Sequence, residues 1–109
     1  YPNKPITMAA AIALSDNIYA VKTHLFLGED ALVDIAKRLG ITAKLEPVPS
    51  LALGSQDINL IEMLNAYATF ANEGYKVTPH LITKVEDMDG NVLYEFNEEP
   101  DNILNKSLV

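Results

Sequence analysis

A serine and an asparagine stand two residues apart in Ser15-Asp16-Asn17. A hydroxyl both donates and accepts a hydrogen bond, and a carboxamide offers a neutral donor beside a neutral acceptor. In a loop of this kind the first and third side chains can project to one side, where they would hold a polar group between them. The same three residue types are also preferred helix N-caps. Taken alone, the triplet reads first as the start of a helix, and the two roles are compatible.

The other candidates have simpler readings. His24 and His80 lie 56 positions apart, with no His-Glu-x-x-His spacing, so each reads as a satisfied or surface histidine. Asp87-x-Asp89-Gly90-Asn91 resembles a calcium loop only faintly. A helix–loop–helix site needs oxygen ligands spread over a longer loop that ends in Glu, and here the flanks read as strands. A hairpin turn accounts for these residues better. Tyr67 and Phe70 fall on an apolar helix and read as core.

Helices must position the triplet. Residues 6–14 contain three consecutive alanines and Thr7 as an N-cap, which predicts a helix packed closely on a neighbour. A second helix runs from Ile18 to about Leu27, with Ile18, Val21 and Leu25 on one face and Gly28 ending it. Glu29 and Asp30 open a third, where the helix dipole favours negative charge. Leu32, Ile35, Ala36 and Leu39 form its apolar stripe, and Lys37, Arg38 and Gly40 mark its end. Pro47, Pro49 and Gly54 punctuate a long connection over residues 41–58. The next helix, Leu60 to Ala71, is apolar on nearly every side, and a helix of that kind is normally buried among several partners. Beyond Gly74 the period changes to two. Leu81–Glu86 and Val92–Phe96 read as strands joined through Asp89-Gly90.

Composition excludes several classes. The 109 residues are 49% apolar and carry a net charge of −7, with no cysteine. A disulfide framework and a thiolate metal site are thereby excluded, and no cofactor is expected. A nucleic-acid partner is disfavoured, because phosphate contacts need clustered Lys and Arg. Residues 1–54 hold five bases and five acids, so the whole charge belongs to the second half, where seven acids fall between Glu86 and Asp101. The longest apolar run, Met8 to Leu14, is far short of the roughly 20 residues that span a bilayer. The opening Tyr1-Pro2-Asn3-Lys4-Pro5 reads as a loop entered in mid-protein.

Three segments together carry a resemblance. Ser15–Thr23, Leu51-Ala52-Leu53-Gly54-Ser55 and Ala66–Gly74, followed by the tail Pro79–Leu93, resemble in order and separation the transpeptidase domain of penicillin-binding proteins, most closely the bifunctional class A branch. The likeness covers about residues 6–96. It implies an α+β fold: a mainly helical segment with a C-terminal β-hairpin, part of a penicillin-binding-protein/serine β-lactamase-like domain. Residues 1–109 would be an internal segment of that domain, with a helical part over 1–74 and the hairpin and acidic tail over 75–109.

That family uses a Ser-x-x-Lys bearing the nucleophile, a Ser-x-Asn, and a Lys-Thr-Gly on a strand. Only the second is here. Ile18, Leu53 and Ile58 follow Ser15, Ser50 and Ser55 at the lysine position, and Lys22-Thr23 precedes His24 rather than Gly. By resemblance Ser15 is a catalytic proton relay and Asn17 binds the substrate amide, while Asp16, at the variable position, has no assigned role. The parent would be a D,D-transpeptidase that cross-links peptidoglycan stem peptides through a serine acyl-enzyme and is acylated by β-lactams. It would work at the extracytoplasmic face of the bacterial membrane, anchored by a segment elsewhere. The isolated chain is expected to be inert and, with exposed apolar faces, to self-associate. The alternatives are a serine β-lactamase or D,D-carboxypeptidase of the same fold, or a non-catalytic helical interaction module.

Overall fold

The structure, a computed structural model, describes residues 3–109. The first two residues of the expected opening loop therefore lie outside the described residues. Four α-helices and one two-stranded sheet form in chain order: α1 (Met8–Ala13), α2 (Asn17–Leu27), α3 (Glu29–Arg38), α4 (Leu60–Ala71), β1 (Lys84–Glu86) and β2 (Val92–Glu95). Short 3-10 helices occupy Pro49–Leu53 and Lys106–Leu108. This is the mainly helical α+β composition expected, and it separates into two compact units, Tyr1–Asn59 and Leu60–Val109.

In the first unit α2 is the central element, touching α1, α3 and the Pro49–Leu53 helix. Thr7 caps α1 as expected, its hydroxyl accepting from the Ala10 amide at 3.2 Å. Only Ala11 of α1 is buried, a small side chain that suits its contact with α2. Gly28, at φ +97°, ends α2 and begins α3 in one residue. The α3 stripe is placed as expected, with Ala36 buried and Leu32, Ile35 and Leu39 half-buried, and Val33 adds a second buried side chain. The connection over 41–58 is packed rather than loose, since Ile41, Leu45 and Leu51 are all buried in it.

The face expected to anchor α2 is corrected. Ile18 and Leu25 are exposed, Val21 is half-buried, and the buried residue of the helix is His24, 5% exposed. Apolar spacing failed here because a polar side chain with a good partner is as buriable as an aliphatic one.

In the second unit α4 has the bounds expected, and it buries Ala66 and Thr69. Thr69, 1% exposed, donates its hydroxyl proton to the Asn65 carbonyl one turn back, at 3.2 Å. Tyr67 and Phe70, expected in the core, are exposed at 69% and 47% and pack on each other with ring centroids 6.4 Å apart. Leu60, Ile61 and Leu64 are exposed as well. An apolar helix is buried only where enough chain surrounds it, and these side chains are uncovered within their unit.

The strands are shorter than their alternating pattern. Lys84 pairs with Glu95 and Val85 with Tyr94, and a bulge between Val85 and Glu86 then shifts the register to Val92. Both faces of the hairpin are exposed. Asp87 closes the turn: one carboxylate oxygen accepts from the Asp89 and Asn91 amides at 3.0 and 2.8 Å, the other from the Asn91 carboxamide at 2.9 Å. The carboxamide bond, followed by the backbone ones, holds the Asp87 carboxyl below the ordinary carboxylate range. Among the described residues no group of three His, Cys, Asp or Glu is arranged to hold a metal ion, and no helix is long and apolar enough to cross a membrane.

The acidic tail beyond the hairpin returns to the end of α4. Lys76 donates its amide to the Asp101 carbonyl at 2.8 Å, and Tyr75 bridges Asn102. The Gly74 carbonyl accepts from both the Ile103 and Leu104 amides, at 2.9 and 3.0 Å.

Candidate active site

Each residue of Ser15-Asp16-Asn17 has a separate backbone task. The Asp16 amide donates to the Ala11 carbonyl at 2.9 Å and the Ser15 amide to the Ile12 carbonyl at 3.1 Å. That pair of bonds is the Schellman closure of a helix, with Ser15 in the left-handed position usually held by glycine. Ser15 has φ +51°. An L-residue in this region costs about 1–2 kcal/mol relative to its right-handed form. Rare backbone conformations of this sort cluster at functional sites.

Asp16 then starts α2. Its Oδ1 accepts from the Tyr19 amide at 2.9 Å, and its carbonyl accepts the first helical bond, from Ala20, at 3.1 Å. The carboxylate lies at the positive end of the helix dipole, a favourable place for it. Asn17 is the first residue of α2. The helix cap anticipated for the triplet therefore falls on its middle residue. Ser15 and Asn17 are exposed while Asp16 is half-buried.

One cleft of about 240 Å³ brings the pair together with the second segment of the resemblance. Ile12, Ser15, Asp16 and Asn17 line it from the α1–α2 corner, and Ala52 and Leu53 from the Pro49–Leu53 helix. The arrangement offers a hydroxyl and a carboxamide on one wall and aliphatic surface on the other. It suits a ligand with an amide to be hydrogen-bonded and an apolar group beside it.

The Ala52–Leu53 wall was not anticipated as part of a site. Its signals were local: Pro49 at the first helical position, suited to a residue that lacks an amide proton, and Gly54 in the left-handed region at φ +74° to end the turn. His24 is satisfied, as expected. A carbonyl only accepts, so Nε2 carries the proton that bonds Val48 O at 3.0 Å. His80, the other histidine, lies exposed in the second unit, stacked on Phe96 with ring centroids 3.8 Å apart.

Comparison with known proteins agrees with the likeness read from the motifs. The family model for the penicillin binding protein transpeptidase domain matches residues 1–107. The chain is 61% identical over 95 residues to penicillin-binding protein 2D of Bacillus subtilis (strain 168), covering 87% of this chain and 14% of that protein. It is 39% identical over 89 residues to penicillin-binding protein 1A of Rickettsia conorii, covering 82% of this chain and 11% of that one. With penicillin-binding protein 1A of Aquifex aeolicus it shares 34% identity over 101 residues, 93% of this chain and 14% of that protein. The chain thus spans between 11% and 14% of the length of these relatives. A match along nearly the whole chain, with the Ser-x-Asn triplet exposed on a cleft, leads to one conclusion: the chain belongs to the penicillin-binding protein transpeptidase domain family, on its class A branch.

Proposed function

We propose that the chain is an internal segment of a peptidoglycan D,D-transpeptidase domain, to which it supplies Ser15 and Asn17. The observation that carries this reading is the division of labour in the triplet: all three residues border one cleft, but the half-buried Asp16 spends its carboxylate on the helix cap, whereas Ser15 and Asn17 are exposed there.

Acyl transfer to a serine needs a base for the hydroxyl proton and an acid for the leaving nitrogen. The attacking serine and its lysine lie outside residues 1–109, in the Ser-x-x-Lys motif. Ser15 relays the proton to the departing amide nitrogen, since its hydroxyl accepts on one side and donates on the other. Asn17 holds the neighbouring amide of the stem peptide, or of a β-lactam, without adding charge. The acyl-enzyme then passes to an acceptor amine, which forms the cross-link. The match to a transpeptidase-domain family supports this outcome over hydrolysis by a β-lactamase or carboxypeptidase. The site works at the extracytoplasmic face of the membrane, where peptidoglycan is assembled, with the anchor in another segment.

The test is acylation of the full-length protein by a fluorescent penicillin. Ser15→Ala and Asn17→Ala are each expected to slow it by about 10²-fold, the usual size of a proton-transfer or orienting contribution. Undiminished acylation and turnover in both variants would remove the assigned roles. The isolated 109-residue chain is expected to stay unlabelled, and covalent labelling of it would place a nucleophile within these residues. The uncovered face of α4 leads us to expect concentration-dependent self-association of that isolated chain by sedimentation.

A further inference from the structure

The cleft has two walls on different elements, and one buried side chain connects them. Ser15 and Asn17 sit at the α1–α2 corner. Ala52 and Leu53 belong to the Pro49–Leu53 helix, which is separated from α2 by α3 and the connection that follows it. His24, two turns along α2 from Asn17, donates Nε2–H to the Val48 carbonyl at 3.0 Å. That same carbonyl accepts the Leu51 amide at 3.1 Å, the bond that begins the 3-10 helix. His24 therefore grips the first turn of the wall from the helix that carries Asn17.

The wall also packs on α2, with Leu51 buried. Ala52 borders the Ser15 cleft on one side and, on the other, an apolar groove of about 330 Å³ lined by Leu27, Leu32 and Ile35 together with His24. The part of the turn at Ala52 is therefore less closely packed than the part at Leu51. Leu51 is buried and anchors one side chain of the turn, but Leu53 is 45% exposed. The hydrogen bond is directional, and at 3.0 Å it defines the separation of the two elements as packing around a groove does not.

We propose that His24 is a positioning residue for the Ser15–Asn17 cleft: its bond to Val48 sets the distance of the Ala52–Leu53 wall, and so which acyl-donor side chains the cleft admits. The inference rests on the reading of the cleft given above. Leu53 supplies the contact and His24 holds it in place.

Acylation of the full-length protein by two penicillins, one with a small and one with a bulky side chain, reads this directly. Rates are normalised to the burst amplitude, so a variant that merely loses folded enzyme leaves their ratio unchanged. His24→Phe keeps the bulk without the donor and is expected to move the ratio about tenfold in favour of the bulky compound, a displacement of the kind that costs up to about 10²-fold in reactivity. His24→Gln, whose amide can donate to the same carbonyl, is expected to restore it. Leu53→Ala, at an exposed position, should move the ratio in the same direction and add little when combined with His24→Phe. An unchanged ratio in His24→Phe and Leu53→Ala, with Ser15→Ala still impaired, overturns the proposal and leaves the site reading intact. Full acylation in Ser15→Ala and Asn17→Ala overturns both. Where His24→Phe fails to fold, ¹⁵N spectra of the unaltered protein decide: the Nε2–H tautomer is expected, and an Nδ1–H tautomer overturns the proposal.

Discussion

The ends of α1 and α4 are built alike and used differently. At each, the amide five residues on bonds back to close the helix: Asp16 to Ala11 O, and Gly74 to Thr69 O, both at 2.9 Å. At each, a residue other than glycine takes the left-handed conformation, Ser15 at φ +51° and Glu73 at φ +57°. At the first corner the strained residue carries the hydroxyl that faces a cleft. At the second it carries a carboxylate paired with Lys106 at 2.8 Å, an exposed bond that raises the lysine's pKa. The residue after it, Gly74, is where the returning tail docks. The same torsional device exposes a polar side chain in one case and opens backbone for pairing in the other.

The sharpest break between the corners is steric. A Cβ on Gly74 would stand 2.2 Å from the Leu104 carbonyl oxygen, and φ is +88°. Gly74→Val is expected to cost about 3 kcal/mol or more through clash and backbone strain together. Thermal unfolding measures the loss, and amide exchange should show Ile103 and Leu104 deprotected first. A variant that retains their protection would mean that the tail is held elsewhere.

Ser15→Gly separates torsion from chemistry. It relieves the left-handed strain, so the protein should gain about 1 kcal/mol in stability while acylation falls as far as in Ser15→Ala. Glu73→Gly gains similar relief but gives up its pairing with Lys106, so its net gain should be the smaller. Equal activity in Ser15→Gly and the unaltered protein would make the hydroxyl a bystander.

Asp16→Ala removes a cap and is expected to cost about 1 kcal/mol. Because the cap begins the helix that carries Asn17, acylation should weaken as well, but by less than in Asn17→Ala. Asp16→Asn, which can still accept from Tyr19, should recover most of both.

The smallest effect is that of pH on the hairpin turn, which is solvated on every side. Asp87 has a folded-state pKa below its unfolded value, so its contribution is complete above the unfolded value and is lost as pH falls through the folded one. The Asn91 side-chain amide protons are expected to move in NMR spectra over that acidic window. Asp87→Ala should abolish the movement.

Elements set by neighbours in sequence were legible. Thr7, Gly28 and the Glu29–Asp30 pair marked helix ends because capping and dipole effects act within one turn. The α4 bounds followed from its apolar run, Leu60 to Ala71. Ser15 in a left-handed turn was not legible, since glycine is the usual residue there and a serine reads as a cap. Burial was misjudged for Tyr67 and Phe70 because an apolar pattern gives a tendency to be covered, while the cover itself is other chain. His24 was legible only as a satisfied histidine. That its partner is the Val48 carbonyl, 24 residues away, depended on the path of a connection that no local rule describes.

The sequence alone determined where the helices run, which residues form the triplet, and that its chemistry is neutral hydrogen bonding. It also carried the family, because several spaced segments in order are specific even when each is weak. The tertiary structure decided which triplet residue caps the helix, which two are left exposed at the cleft, and what else lines it. The reason is one of range. Caps and turns are fixed by atoms within a few residues, whereas a cleft wall is fixed by contacts whose partners are chosen only when distant segments pack together.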